Sequence, residues 1–166
     1  ELQILKRLQE LGDSSSIPTL YFNREDLAVQ LDHIFGIEIE EWPARIAQTA
    51  LLLAEHQANA AMELALGKAP SVLPLETVTG IHIGNSLRTN WADVVPPSDH
   101  VMIVGNPPFI GARIMSMAQK ADLTSVWEST VGDLDYVTGW FKKASDYFDH
   151  VQGGRFAFVS TNSIAQ

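Results

Sequence analysis

The sequence predicts an α/β fold in which a mostly parallel sheet is flanked by helices. Three observations support this prediction: short apolar runs with a β-branched bias, long helical patterns between them, and polar residues directly after the runs. Strands that alternate with helices are typical of parallel sheets. The 166 residues, 46% of them hydrophobic, suffice for one domain with its own core.

Four strands are predicted from the short apolar runs. They lie within residues 33–39, 79–87, 101–104 and 155–159. Each run has the length and the side-chain bias of a buried strand. The second run ends in a polar turn, and the fourth continues into the polar residues 160–162.

Four helices are predicted from patterns that repeat about every 3.6 residues. They lie within residues 1–11, 23–34, 40–66 and 135–151, and Asn23 is the predicted N-cap of the second. In the third helix a small-residue face predicts tight packing: Ala44, Ala47, Ala50, Leu51 and Ala54. Residues 114–132 lack a clear period and are expected to form a loop.

Composition excludes several classes of function. The chain has no cysteine, which excludes disulfides, cysteine-bound zinc and iron–sulfur clusters and fits a cytoplasmic location. Its five histidines are scattered, so no metal site is expected. No apolar run approaches the ~18 residues of a membrane span, and no membrane partner is expected. The net charge of −9 disfavours direct binding to nucleic acid by this segment alone.

Polar side chains follow three of the predicted strands at the point where each strand ends. These are Glu38, Asn85 and Asn106. In open parallel sheets, ligands bind outside the carboxyl ends of the strands. The sequence therefore predicts a binding site at this edge of the sheet.

The run Asn106-Pro107-Pro108-Phe109 predicts a particular chemistry for that site. The lone pair of an exocyclic amine on an aromatic base is delocalised into the ring, so the amine is a poor nucleophile. Two acceptors aimed at its hydrogens, the Asn106 side chain and the Pro107 main chain, favour a tetrahedral and reactive nitrogen. The prolines fix the backbone, and Phe109 can stack on a planar base.

These residues resemble a known family. "GNPPF" resembles motif IV of S-adenosylmethionine-dependent amino methyltransferases, chiefly the N6-adenine DNA methyltransferases. "FGIEIEEWPARIAQTAL", "GIHIGNSL" and "FAFVSTNSI" resemble their motifs II, III and VI. More narrowly, the chain resembles the large single-chain bacterial restriction-modification enzymes. The implied fold is a partial Rossmann-like class I methyltransferase fold.

The resemblance implies a role for each strand end. Glu38, with Ile39 beside it, is implied to bind the ribose of S-adenosyl-L-methionine. Asn85 and Ser86 lie where the family contacts the adenine of that cofactor, although the family usually has aspartate at the position of Asn85.

The motif IV residues are implied to hold the target base. Asn106 also borders the cofactor and is not a formal base, because the methyl group passes in line from sulfur to nitrogen. The implied partner is double-stranded DNA, bound through the parent chain with one adenine flipped out of the duplex.

Several of these residues also have purely structural interpretations. Glu38 can be a helix N-terminal carboxylate, and Asn85 can be a plain turn residue. Asp133 and Asp135 can be caps of the following helix, and residues 160–162 can simply end a strand.

Other functions are also compatible with the sequence. Methylation of a glutamine side-chain amide is one alternative, since release-factor glutamine methyltransferases use a similar motif. A non-catalytic scaffold is another. Methylation of cytosine N4 is disfavoured, because serine more often takes the position of Asn106.

The glycine-rich motif I of the family is not found, since no Gly-x-Gly occurs in the chain. We therefore expect residues 1–166 to be an internal fragment of a catalytic domain, inactive in isolation, with the first strand and the C-terminal strands missing. Residues 1–32 would be a helical lead-in, and residues 33–166 would carry motifs II to VI. In the family's sheet, the first strand lies between the second and the fourth. Because we expect this strand to be missing, the remaining strands should either pair in a different order or have exposed edges that pair with another copy.

Overall fold

The computed structural model describes residues 29–66 and 80–165. The predicted helix over residues 1–11 and most of the one over 23–34 lie outside the described residues. Within 29–34, the chain forms a 3-10 turn at Leu31–His33 in place of the predicted helix. The turn closes where the Ile34 amide donates to the carbonyl of Leu31, and the chain then enters the first strand.

All four predicted strands are present: β1 (Gly36–Glu38), β2 (Ile81–Ile83), β3 (Met102–Gly105) and β4 (Arg155–Phe158). β1, β2 and β4 are shorter than their apolar runs, and β3 begins and ends one residue later than its run. β1 pairs with β2 and β3 pairs with β4, and both pairs are parallel. The predicted parallel pairing of the strands is therefore confirmed.

The two strand pairs form separate two-stranded sheets. Among the described residues, β1 and β3 each have one strand neighbour, and apolar side chains on β3 are exposed, Met102 and Val104 among them. The strands have therefore not closed up in a different order within this part of the chain. Pairing of the open edges with another copy stays a prediction.

Four helices accompany these strands: α1 (Glu41–Leu66), α2 (Trp91–Val94), α3 (Met117–Trp127) and α4 (Thr138–Tyr147). The predicted helices over 40–66 and 135–151 correspond to α1 and α4. Tight packing of α1 is found at Ala44, which is fully buried, whereas Ala50 and Ala54 are exposed. A 26-residue helix is about 39 Å long, so the three-residue strands β1 and β2 cover only part of it.

Helix α3 shows that the expectation of a loop over residues 114–132 is wrong. Ser116 is the N-cap, and its hydroxyl accepts from the amide of Gln119 while the Gln119 side chain accepts from the amide of Ser116. This capping box satisfies two donors at the start of the helix. The Ser-x-x-Gln spacing is a helix-start signal that the periodicity of the segment does not reveal.

Neither Asp133 nor Asp135 is the N-cap of α4. The N-cap is Val137, whose side chain makes no capping hydrogen bond. The Asp135 carbonyl, rather than its carboxylate, accepts from the amide and the hydroxyl of Thr138.

The buried cluster that links these elements lies beside the strand ends. It contains Leu87 from the segment after β2, Met115 and Leu123 from α3 and its approach, and Tyr136 from the approach to α4. Because it includes residues that follow both β2 and β3, this cluster packs the two strand pairs against shared helices. No helix in the described part of the chain has the length and apolar character needed to cross a membrane.

Candidate active site

The Asn-Pro-Pro-Phe run forms the turn that follows β3. The amide of Val159 donates to the carbonyl of Gly105, so β4 supports the strand up to its last residue. A Cβ at Gly105 would lie 3.2 Å from the ring of Phe158, so a larger residue at this position would require that ring to shift slightly. Pro107 is buried and anchors the turn.

The two flanking side chains of this turn are available to a ligand. Asn106 is exposed, and no described residue hydrogen-bonds its side-chain amide. Phe109 is 45% exposed although it is a large apolar residue. The turn therefore presents an amide and an aromatic ring on a backbone that two prolines hold fixed.

Glu38 ends β1 next to the end of β2. Its carbonyl accepts from the amide of Gly84 at 2.8 Å, and its carboxylate oxygen Oε1 accepts from the amide of Glu40 at 3.0 Å. The second bond fits the interpretation of a carboxylate near a helix N-terminus, since α1 begins at residue 41. The Oε2 atom keeps its lone pairs for a ligand, and Ile39 is exposed beside it.

Asn85, which follows β2, is part of a turn and also of a wider network. Its Oδ1 accepts from the amide of Leu87 at 2.9 Å, and its Nδ2 donates to Oδ2 of Asp122 at 2.8 Å. One Oδ1 lone pair remains beyond these bonds, and the Asn85 side chain also lies within hydrogen-bond reach of the Tyr136 hydroxyl, where it partly offsets the rise that burial causes in the pKa of Tyr136. The carbonyl of the next residue, Ser86, accepts from the Trp91 indole.

Asp122 on α3 is a site residue that no motif in the sequence indicates. It is 4% exposed, and its carboxylate accepts hydrogen bonds from Asn85, from Nε of Arg88 and from the hydroxyl of Tyr136 at 3.0 Å. Burial, and then the hydrogen bond and charge of Asp122, raise the pKa of Tyr136 to about 12. We call Asn85, Arg88, Asp122 and Tyr136 the Asp122 network.

This network reaches both strand pairs. Asn85 belongs to the first pair, whereas the backbone amide of Tyr136 donates at 2.8 Å to the carbonyl of Ile110, next to Phe109. Lys143 on α4 adds hydrogen bonds to the carbonyls of Leu87 and Thr89, and burial lowers its pKa. The segment after β2 and the turn after β3 are thus fixed to the same two helices.

A groove follows the Asn-Pro-Pro-Phe turn along the chain. Among the described residues, 111–114, Asp133 and Asp135 line it, so its lining carries two acidic residues and one basic residue, Arg113. This balance matches the net charge of −9 and disfavours contact with DNA phosphates in the groove itself.

Other predicted features add less to the site. Residues 160–162 follow β4, where the hydroxyl of Ser160 donates to the carbonyl of Thr161. Among residues 29–66 and 80–165, no group of three acidic or histidine side chains is arranged to hold a metal ion.

The Asn-Pro-Pro-Phe turn follows a parallel strand, which is the placement that the resemblance to methyltransferases implies. Over residues 1–166 the chain matches the family model described as "MmeI, DNA-methyltransferase domain". The chain belongs to this family of DNA methyltransferase domains.

Two similar proteins extend this assignment. DNA methyltransferase A of Bacillus subtilis (strain 168) is 34% identical over 172 residues, which cover all of this chain and 18% of that protein. The solved structure of the Type IIL restriction-modification enzyme MmeI in complex with DNA matches with a TM-score of 0.82 and 38% identity. That match covers 99% of this chain and 22% of the MmeI chain, so this chain spans about a fifth of each relative.

Proposed function

We propose that this chain is the central part of a catalytic domain that methylates the N6 amine of adenine in DNA, with S-adenosyl-L-methionine as the methyl donor. The observation that carries the proposal is the free amide of Asn106 beside the half-exposed ring of Phe109, on a turn anchored by buried Pro107. Membership of the DNA methyltransferase family and the similarity to a restriction-modification enzyme support it.

The turn suits an amine substrate because it offers two acceptors on a rigid backbone. The side-chain oxygen of Asn106 and the carbonyl of Pro107 accept from the two amine hydrogens, which favours a tetrahedral nitrogen with an available lone pair. Phe109 stacks on the base, and Pro108 restricts the path of the backbone between the two. No side chain of the turn acts as a formal base, and the amine proton leaves after the transfer.

The strand ends fit the proposed cofactor. Oε2 of Glu38 can accept from ribose hydroxyls, and Asn85 retains an acceptor lone pair for an adenine edge, next to Ile39 and Ser86. When bound, S-adenosyl-L-methionine supplies an electrophilic methyl group. The chain's own residues orient the two reactants, which is the main catalytic contribution in a direct transfer.

A duplex adenine reaches such a turn only when it leaves the base stack. The groove lined by residues 111–114, Asp133 and Asp135 is unsuited to the phosphate backbone, so we place the main DNA-binding surface in other parts of the full-length protein. We also place the reaction in the cytoplasm, because a sequence without cysteine needs no disulfide-forming compartment.

The test is methyl transfer by the full-length protein from labelled S-adenosyl-L-methionine to unmethylated DNA. Asn106→Ala removes the proposed acceptor. Gln152→Ala is the matched control, because it removes an exposed amide before β4, at the opposite end of the same strand pair. We expect label on adenine N6 with the wild type and with Gln152→Ala, and a loss of about a hundredfold or more with Asn106→Ala.

Other distributions of the label contradict the proposal. Label on a protein glutamine would replace DNA with a protein substrate, and label on cytosine N4 would replace adenine. An Asn106→Ala variant as active as the wild type would remove the role of the turn in catalysis.

A further inference from the structure

The Asp122 carboxylate holds three partners that come from distant parts of the chain. Its Oδ2 is shared by Nδ2 of Asn85 and the hydroxyl of Tyr136, and its Oδ1 accepts from Arg88. Asp122 is 4% exposed and Tyr136 6%, so little water is available to replace these bonds. Bonds to a buried charged acceptor contribute more than neutral ones, and their loss leaves donors unsatisfied.

The position of Asp122 explains why residue 85 is an asparagine. An aspartate there would place a second carboxylate about 2.8 Å from Oδ2 of Asp122, where both groups are acceptors with the same charge. The amide of Asn85 supplies a donor instead. It also keeps an acceptor for the Leu87 amide, which shapes the segment after β2.

Tyr136 extends the network to the other strand pair. Its hydroxyl contacts Asp122, while its backbone amide donates to the carbonyl of Ile110, four residues after Asn106. One carboxylate is therefore connected to the proposed cofactor side of the site through Asn85 and to the proposed base side through Tyr136.

We propose that Asp122 is a positioning residue for methyl transfer, which fixes Asn85 toward the cofactor and, through Tyr136, the turn that holds the target base. This proposal rests on the proposed function. Asp122 does not touch the reactants; it acts through the orientation of Asn85 and Tyr136.

The test is made in the full-length protein and exchanges the amide of Asn85 with the carboxylate of Asp122. Asn85→Asp puts two carboxylates face to face. The double variant Asn85→Asp with Asp122→Asn restores a donor opposite an acceptor, and Asp122→Asn alone weakens all three bonds of the carboxylate. Asp146→Asn is the matched control, because it breaks the exposed ion pair between Lys142 and Asp146 on α4.

We expect Asn85→Asp to weaken S-adenosyl-L-methionine binding by about tenfold or more, and the double variant to recover to within about threefold of the wild type. Asp122→Asn weakens binding to an intermediate extent, and Asp146→Asn leaves it unchanged. Binding is measured by titration calorimetry alongside kcat, DNA affinity and the melting temperature. A purely structural role would lower the melting temperature and reduce cofactor and DNA affinity together, whereas positioning changes cofactor affinity and kcat with DNA affinity retained.

The outcomes separate this proposal from the proposed function. If the wild type methylates DNA and the double variant is no better than Asn85→Asp, or Asp122→Asn binds the cofactor as the wild type does, the positioning role is overturned and the function stands. If the wild type transfers no methyl group to DNA, the function is overturned and the positioning role with it. If Asn85→Asp fails to fold, Tyr136→Phe provides the same decision, because it removes one of the two partners of Oδ2 and should lower kcat without weakening DNA binding.

Discussion

Alkaline pH should destabilise the fold through Tyr136. Its pKa is raised to about 12 from 10.0 by burial and then by the hydrogen bond and charge of Asp122, so the folded state retains a proton that the unfolded state releases. The stabilisation is fully present well below pH 10.0 and is lost progressively as the pH rises through about 12. The full difference between the two pKa values corresponds to roughly 3 kcal/mol.

The measurement is the free energy of urea unfolding of the wild type and of Tyr136→Phe over this pH range, with the ionisation of tyrosine followed by absorbance. We expect the difference in stability between the two proteins to shrink by roughly 2 kcal/mol between pH 10.0 and about 12, with the remainder lost at still higher pH. Asp122→Asn should lower the pKa of Tyr136, because it removes the second and third causes of the shift. Parallel stability profiles of the wild type and Tyr136→Phe, or a Tyr136 midpoint near 10.0, would refute this reasoning.

Two further predictions concern stability. Gly80→Ala should lower the free energy of urea unfolding by about 2 kcal/mol or more, because the new Cβ would lie 2.2 Å from the carbonyl oxygen of Ile34. Gly132→Ala is the control: no atom lies within 4 Å of its Cβ position, so the free energy of unfolding should change by less than about 0.5 kcal/mol. Equal effects of the two would contradict the close approach at Gly80. Ser116→Ala should lower the free energy of unfolding by about 1 kcal/mol, because it removes the capping box of α3. Ser125→Ala is the control: Ser125 is exposed within the same helix, so its replacement should not destabilise the protein. A Ser116→Ala variant as stable as the wild type would contradict the capping role.

The strands and the Asn-Pro-Pro-Phe turn could be predicted from the sequence because their signals are local. Each strand is a short apolar run, and the turn is defined by four adjacent residues. Helix α3 was not predicted, because its apolar residues do not follow a single face and its start depends on a two-residue capping box. Tight packing along all of α1 was predicted from its alanines, but burial depends on what covers the helix, which periodicity does not specify.

The Asp122 network could not be predicted, because its contacts join residues 37, 34 and 14 positions apart. Nothing in the residues around Asp122 distinguishes it from an ordinary solvated carboxylate on a helix. Only the packing of α3 against the segment after β2 buries it and brings its three donors together.

This network also changes how the departure at residue 85 is interpreted. Taken alone, asparagine in place of the family's usual aspartate suggests a weakened cofactor contact. With Asp122 close by, an asparagine at position 85 keeps the strand end polar and avoids placing two carboxylates next to each other. Since the two strand pairs share no backbone ladder within residues 29–66 and 80–165, their relative position depends on the shared apolar core and on Asp122. Asn85 and Asp122 form a donor–acceptor pair, and we expect an exchange of one to require a matching exchange of the other.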